Sequence, residues 1–250
     1  MIPKIIHYCW LSADPYPEKI LYCVQSWKKI MPDYEIWLWD LNRFDINQSI
    51  WVKEAYAEKK YAFAADYIRL YALYKFGGIY LDSDVEVVRR FDDLLSLPYF
   101  IGFENEENKF LEAAIIGAEK NIQWVGKCLE YYSNRHFVKN GMCDMLPLPK
   151  ILKNEIGEMC KISSVEEFDY HKNIVQVFPK TYFSPKVGVS GDLSYFSEKT
   201  YSIHHYAASW YPMSKKLYRR INHLMGAKFA QFCSKIFKII KNNENIAGYK

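Results

Sequence analysis

The sequence predicts an α/β fold on a Rossmann-like sheet, and three observations carry that prediction. Its first 40 residues read strand, helix, strand, at the spacing of a βαβ unit. A helical pattern over 62–76 ends on Gly77-Gly78 and runs at once into the short apolar strand Ile79-Tyr80-Leu81. Half of the 250 residues are apolar, enough to bury one sizeable core and a small appended element.

Pro3 to Trp10 reads as a buried strand, broken by Ser12-Ala13-Asp14-Pro15. Pro17 to Ile30 is helical, with Ile20, Leu21, Val24 and Trp27 forming its apolar stripe. Pro32-Asp33 turns the chain into a second strand, Glu35 to Asp40. In the helix from Ala62 to Phe76, Phe63, Tyr67, Leu70, Tyr71 and Tyr74 recur near helical period, and glycine at a left-handed C-cap should end it. Val85 to Val88 continues beyond Asp82-Ser83-Asp84, and Tyr99–Phe103 and Ala113–Ala118 are two further strands. Residues 122–136 read as helix. From 138 to 199 the pattern blurs, punctuated by Pro147, Pro149, Pro179 and Pro185. Tyr201 to Tyr206 is a last strand, and the chain is helical from Met213. The expected division is a domain over 1–212 and a tail over 213–250, with no internal repeat.

Charge is uneven along the chain. Residues 1–214 carry 24 Lys+Arg against 28 Asp+Glu, whereas residues 215–250 carry nine against Glu244 alone. The net charge of +4 therefore reports a basic tail on a mildly acidic domain, not a nucleic-acid binder. The six cysteines form no C-x-x-C pair, and the N-terminal apolar stretch is too short for a secretory signal, so reduced thiols in the cytoplasm are expected. No apolar run approaches the ~20 residues of a membrane span. The 21 Tyr and 7 Trp supply platforms for sugar faces and nucleobases, or else reflect an AT-biased genome.

Asp82-Ser83-Asp84 is the central chemical signal. Two carboxylates at i and i+2 leaving a strand should project to one side at the sheet's carboxyl end, where open α/β sheets bind ligands. Such close like charges call for a cation, and one or two carboxylates plus substrate phosphates commonly hold a divalent ion. A lone D-x-D is weak, and the preceding Gly-Gly-Ile-Tyr-Leu strand strengthens it. Asp66 and Arg69 share a helix face, either as an ordinary ion pair or as contacts to sugar hydroxyls and phosphate. His204 and His205 point to opposite sides of the last strand. One of them is a third metal ligand, or both are ordinary core and surface groups.

Taken together, Ile2 to Trp10, Ala64 to Arg69, Gly77 to Asp84 and His204 to Trp210 resemble glycosyltransferase family 32. That family includes capsular-polysaccharide sugar transferases and yeast initiating mannosyltransferases, and is related to the clostridial glucosylating toxins. The resemblance runs through the first ~120 residues and returns at 175–210. It implies a GT-A fold, a mixed sheet flanked by helices, with manganese (magnesium as the alternative) as cofactor. It also implies retaining transfer from a nucleoside diphosphate sugar; a glycan or lipid-linked saccharide in surface polysaccharide synthesis is the expected acceptor, although the resemblance does not carry the acceptor's identity. On this resemblance Trp10 stacks on the base, Asp66 and Arg69 hold the donor sugar, and Tyr80 lines the donor pocket. Asp82 reaches the ribose and the metal shell, Asp84 ligates the metal, His204 completes its shell, and Ser209 and Trp210 lie against the diphosphate. Asp66, Arg69, Asp82 and Asp84 form the expected catalytic set. Tyr182-Phe183-Ser184-Pro185 resembles the family's Phe-x-Pro segment, whereas Leu146-Pro147-Leu148-Pro149 departs from a Thr-Gly-Pro turn on the acceptor side.

Only by its likeness to uridine-stacking relatives does the Trp10 segment favour a UDP-sugar, with a GDP-mannose-dependent mannosyltransferase as the alternative. With no nucleophile evident, front-side attack by the acceptor is preferred, and Glu104 and Asp192 are candidate bases. Two rivals remain: a haloacid-dehalogenase-type phosphatase with Asp82 as nucleophile, and a carbohydrate-binding module. Over 215–241, eight basic residues and no acidic one accompany apolar residues at helical spacing. That pattern predicts a basic amphipathic helix on an anionic membrane surface, against the alternative of a helix packed on the domain. The expected location is cytoplasmic, peripheral on the inner face of a bacterial membrane.

Overall fold

The computed structural model describes residues 1–12, 14–186, 193 and 195–207. The boundary expected at 212/213, the helix over 215–241, and Asp192, Ser209 and Trp210 lie outside the described residues.

The chain opens with β1 (Ile5–Cys9), α1 (Glu18–Ile30) and β2 (Glu35–Trp39), then α2 (Ile50–Ala57), α3 (Tyr61–Phe76) and β3 (Gly78–Leu81). After β4 (Val85–Val87) come β5 (Tyr99–Asn105), β6 (Phe110–Ala118) and α4 (Gln123–Glu130). A small hairpin, β7 (Val138–Lys139) and β8 (Met142–Cys143), precedes α5 (Leu148–Met159), β9 (Lys161–Ser164) and β10 (Ile174–Val177). The described part closes with α6 (Lys180–Phe183) and β11 (Ser202–His204).

Five strands form the central sheet in the order β2-β1-β3-β6-β5. β1 runs parallel to both β2 and β3, whereas β6 is antiparallel to β3 and to β5. This is the expected mixed sheet. From β1 the chain reaches β2 on one side and β3 on the other, so the strand order switches between β1 and β3. A crevice outside the carboxyl ends of the strands at such a switch is where α/β sheets place ligands, and here those ends deliver Trp10 and Asp82.

Strand alternation sorts the core into two layers. Ile79 and Leu81 of β3 join Ile6, Tyr8 and the α1 residues Ile20, Val24 and Trp27, while Tyr80 faces the layer of α2, α3, α4 and α5. In α1 the stripe differs from expectation at one place. Leu21 is 45% exposed and Cys23 is buried in its stead, because Leu21 lies about 100° round the helix from Ile20 and Cys23 only about 60°.

Gly77 ends α3 at φ +67°, ψ −169°, so the expected left-handed cap is replaced by an extended conformation open essentially to glycine alone. It sends the chain straight into β3. Gly78 follows at φ +106°, and a Cβ there would stand 2.7 Å from the Ile5 carbonyl oxygen and 2.9 Å from His7 Nε2. Close backbone approach explains the glycine pair. α4 stops at Glu130, short of the expected 136, where Ser133 and Asn134, poor helix formers, turn the chain.

The prolines that blur 138–199 mark element boundaries. Pro147 caps α5, Pro149 sits in its first turn, Pro179 caps α6 and Pro185 follows it. The last strand pairs antiparallel with β4 in a separate two-stranded ladder. No helix among the described residues is long and apolar enough to cross a membrane.

Candidate metal and donor site

β3 hands its ladder on to Asp82, whose amide donates to the Ala114 carbonyl at 2.8 Å. The chain then turns, with the Val85 amide donating to the Asp82 carbonyl at 3.0 Å. Asp82 and Asp84 thus converge through a β-turn, and the expected strand alternation is not what brings them together. Aspartate at the first turn position is favoured for this geometry. Trp27 fixes the far side of the turn, its indole donating to the Val85 carbonyl at 2.7 Å.

The third group arrives from β11. Register places His204 opposite Val85, one residue beyond Asp84. Oxygens of Asp82 and Asp84 and a ring nitrogen of His204 all lie within 4.8 Å of one another. His204 Nε2 is 3.6 Å from Asp84 Oδ1, and its Nδ1 is 3.4 Å from Glu112 Oε1. His205 turns the other way, 2.8 Å from Glu86, while its amide donates to the Asp84 carbonyl at 3.1 Å. Strand alternation thus separates the two histidines as expected.

Arg69, buried on α3, lies behind Asp82. Its Nη2 is 3.0 Å from Asp82 Oδ1 and 3.1 Å from Asp66 Oδ1, its Nη1 donates to the Ala113 carbonyl, and its guanidinium stacks 4.6 Å from the Tyr80 ring centre. Tyr80 is 1% exposed and its hydroxyl donates to the same Asp82 oxygen at 3.1 Å. Both Nη atoms of Arg69 and the Tyr80 hydroxyl thus have protein partners, whereas Arg69 Nε is buried without a hydrogen bond. Trp10, at the end of β1, is half-buried, its ring edge-on to Tyr16 at 4.8 Å and its indole donating to the Asp14 carbonyl.

Burial lifts Asp66 to about 7 despite Arg69, and raises Asp82 from its ordinary value with Arg69 opposing. Glu104 rises to about 7 through burial and the neighbouring Glu112. Burial disfavours the charge on His204, but Glu112, Asp84 and Asp82 outweigh it and raise the imidazole to about 10. Five carboxylates, on Asp66, Asp82, Asp84, Glu104 and Glu112, thus gather around two cationic groups. Two carboxylates as hard oxygen donors and one imidazole, which can ligate once its proton is lost, fit a divalent cation.

Glu112 and Ser184 were not among the residues that sequence reasoning picks out for the site. The sequence does carry a signal for the first, a lone glutamate inside an apolar strand, but with the strand expected from Ala113 it falls just outside. Ser184 belongs to the segment resembling Phe-x-Pro, and its hydroxyl donates to Glu112 Oε2.

Residues 17–101 match a family model described as a glycosyltransferase sugar-binding region containing the DXD motif. Inositol phosphoceramide mannosyltransferase 3 of Schizosaccharomyces pombe is 38% identical over 104 residues, 40% of this chain and 29% of that protein. A mannosyl phosphorylinositol ceramide synthase of Saccharomyces cerevisiae is 36% identical over 105 residues, 40% of this chain and 28% of that protein. The chain thus spans less than a third of the length of these curated relatives. Among solved structures, PaToxG glycosyltransferase is 23% identical, covering 63% of this chain and 71% of that chain at a TM-score of 0.47.

Proposed function

We propose, from the premise that residues 17–101 belong to the glycosyltransferase family whose sugar-binding region contains the DXD motif, that this chain moves a hexosyl group from a nucleoside diphosphate sugar to a hydroxyl of a glycan or lipid-linked acceptor. The observation that carries the proposal is the convergence of Asp82, Asp84 and His204 at the switch point of the sheet. Asp82, Asp84 and His204 would hold a divalent cation, manganese or magnesium, whose positive charge would stabilise the departing diphosphate.

The protein's own part is preorganisation. Arg69 and Tyr80 hold one oxygen of Asp82, so the carboxylate needs little rearrangement to act. Trp10 is assigned to the base, and Ser209 and Trp210 to the diphosphate. The proposed course is front-side. The acceptor oxygen bonds to the anomeric carbon on the face from which diphosphate departs, and the acceptor proton passes to a departing phosphate oxygen. Glu104, with its pKa near neutrality, is the protein base assigned as alternative recipient.

The names of the two fungal relatives, which mention mannosyl transfer and inositol phosphoceramide or phosphorylinositol ceramide, are the support for a lipid-linked acceptor and for including GDP-mannose with the UDP-sugars as a candidate donor. The phosphatase reading finds no support in the family match. A cytoplasmic, membrane-peripheral location is part of the proposal; its membrane part rests on the 215–241 pattern and its cytoplasmic part on the cysteine pattern.

The test is a panel of UDP- and GDP-sugars assayed for hydrolysis without acceptor, with manganese or with chelator. One donor should be turned over only with metal, and Asp84→Asn should lower that rate on the order of 10²-fold or more. Turnover indifferent to both chelator and Asp84→Asn would refute the proposal.

A further inference from the structure

Glu112 interrupts the apolar β6 and is 1% exposed. A carboxylate in such a place is tolerated only if its oxygens are matched by partners. Oε1 accepts from the Ala114 amide at 2.9 Å and lies 3.4 Å from His204 Nδ1, while Oε2 accepts from the Ser184 hydroxyl. The opposite nitrogen of the same ring, Nε2, looks at Asp84. The imidazole thus lies between a carboxylate on one side and the Asp82–Asp84 pair on the other, and its Nδ1, buried and without a hydrogen bond, has the Glu112 carboxylate as its nearest charged neighbour.

Two ladders produce this arrangement. β6 lies beside β3, with Leu81 opposite Ile115, and β11 lies beside β4, with His204 opposite Val85. Glu112 and the D-x-D turn therefore reach the two edges of one ring from different strands. Glu112 is not itself in the cluster of candidate ligands, since the ring stands between them.

We propose that Glu112 is a positioning residue for His204: by accepting the Nδ1 proton it sets the tautomer and orientation that offer Nε2 to the cation, with Ser184 and the Ala114 amide holding Glu112 in turn. Metal-bound histidines commonly give their second nitrogen to a carboxylate in this way, and losing that partner costs 10–100-fold in metal affinity. The inference deepens the metal site proposed above and rests on it.

The test is manganese binding without donor, followed by the electron-spin signal of the free ion, on the wild type, Glu112→Gln, His204→Ala and the double variant. Glu112→Gln should weaken binding about 10-fold or more. The double variant should bind no more weakly than His204→Ala alone, because Glu112 acts through the ring. Wild-type affinity in Glu112→Gln, or an undiminished further loss in the His204→Ala background, overturns the inference. If Glu112→Gln does not fold, Ser184→Ala replaces it in the same cycle, with a smaller loss that must also vanish without His204. In the magnesium form, nitrogen NMR of labelled histidine should show the Nδ1–H tautomer for His204, and the Nε2–H tautomer would contradict the proposal. Failure of the metal site itself reads differently: the wild type would bind no manganese, or Asp84→Asn would bind it unchanged.

Discussion

Arg69 shows how one side chain can serve a site from behind it. Its guanidinium joins Asp66, Asp82 and the Ala113 carbonyl while lying against Tyr80, which a planar fork can do and a single ammonium cannot. Arg69→Ala would leave the buried Asp66 without its cation and Asp82 with His204 alone, a loss of about 3–5 kcal/mol. Arg69→Lys keeps the charge but not the fork, and is the variant to assay. We expect it to remain folded by circular dichroism and to lose on the order of 10²-fold in kcat/KM for donor hydrolysis. A loss under threefold would mean that Asp82 does not need this clamp.

At the scale of elements, β1, β2, α3 and β3 are pinned together by His7. Trp39 Nε1, a donor only, gives its proton to His7 Nδ1 at 3.1 Å, so Nε2 carries the ring's proton and donates to the Gly77 carbonyl at 2.7 Å. The latch requires a neutral ring. Burial pushes His7 down to about 4, with Gly77 opposing. Between the ordinary pKa of 6.5 and about 4, the unfolded chain binds a proton that the folded chain refuses. The stabilisation is therefore present above pH 6.5 and is lost as pH falls through 4, by about 3 kcal/mol. Urea unfolding should show the wild type losing about that much more stability than His7→Gln between pH 7 and pH 4. Equal losses would deny His7 this part.

For the whole molecule, strand order brings the functional residues together. The switch between β1 and β3 opens the carboxyl edge, and β11 returns to β4 to add His204. The basic segment 215–241 lies outside the described residues, and its proposed role is attachment to an anionic bilayer. Each basic residue near such a surface contributes ~1 kcal/mol. Truncation after Met213 is expected to abolish flotation with phosphatidylserine-containing vesicles. Undiminished flotation of the truncated chain would remove the membrane from the proposal.

The amino-acid sequence by itself determined the α/β class, the order of the strands and the two long helices through the first ~120 residues but not the short helix Ile50–Ala57, the position of Asp82 and Asp84 at a strand end, and the shared face of Asp66 and Arg69. These are local properties, written in periodicity, glycine pairs and turn residues a few positions apart. A local turn makes the two carboxylates converge, whereas tertiary structure decided that His204 and not His205 joins them and that Arg69 grips Asp82. It also decided that Glu112 and Ser184, 72 residues apart, meet at all. Such encounters depend on sheet register, where a shift of one residue turns every side chain to the opposite face.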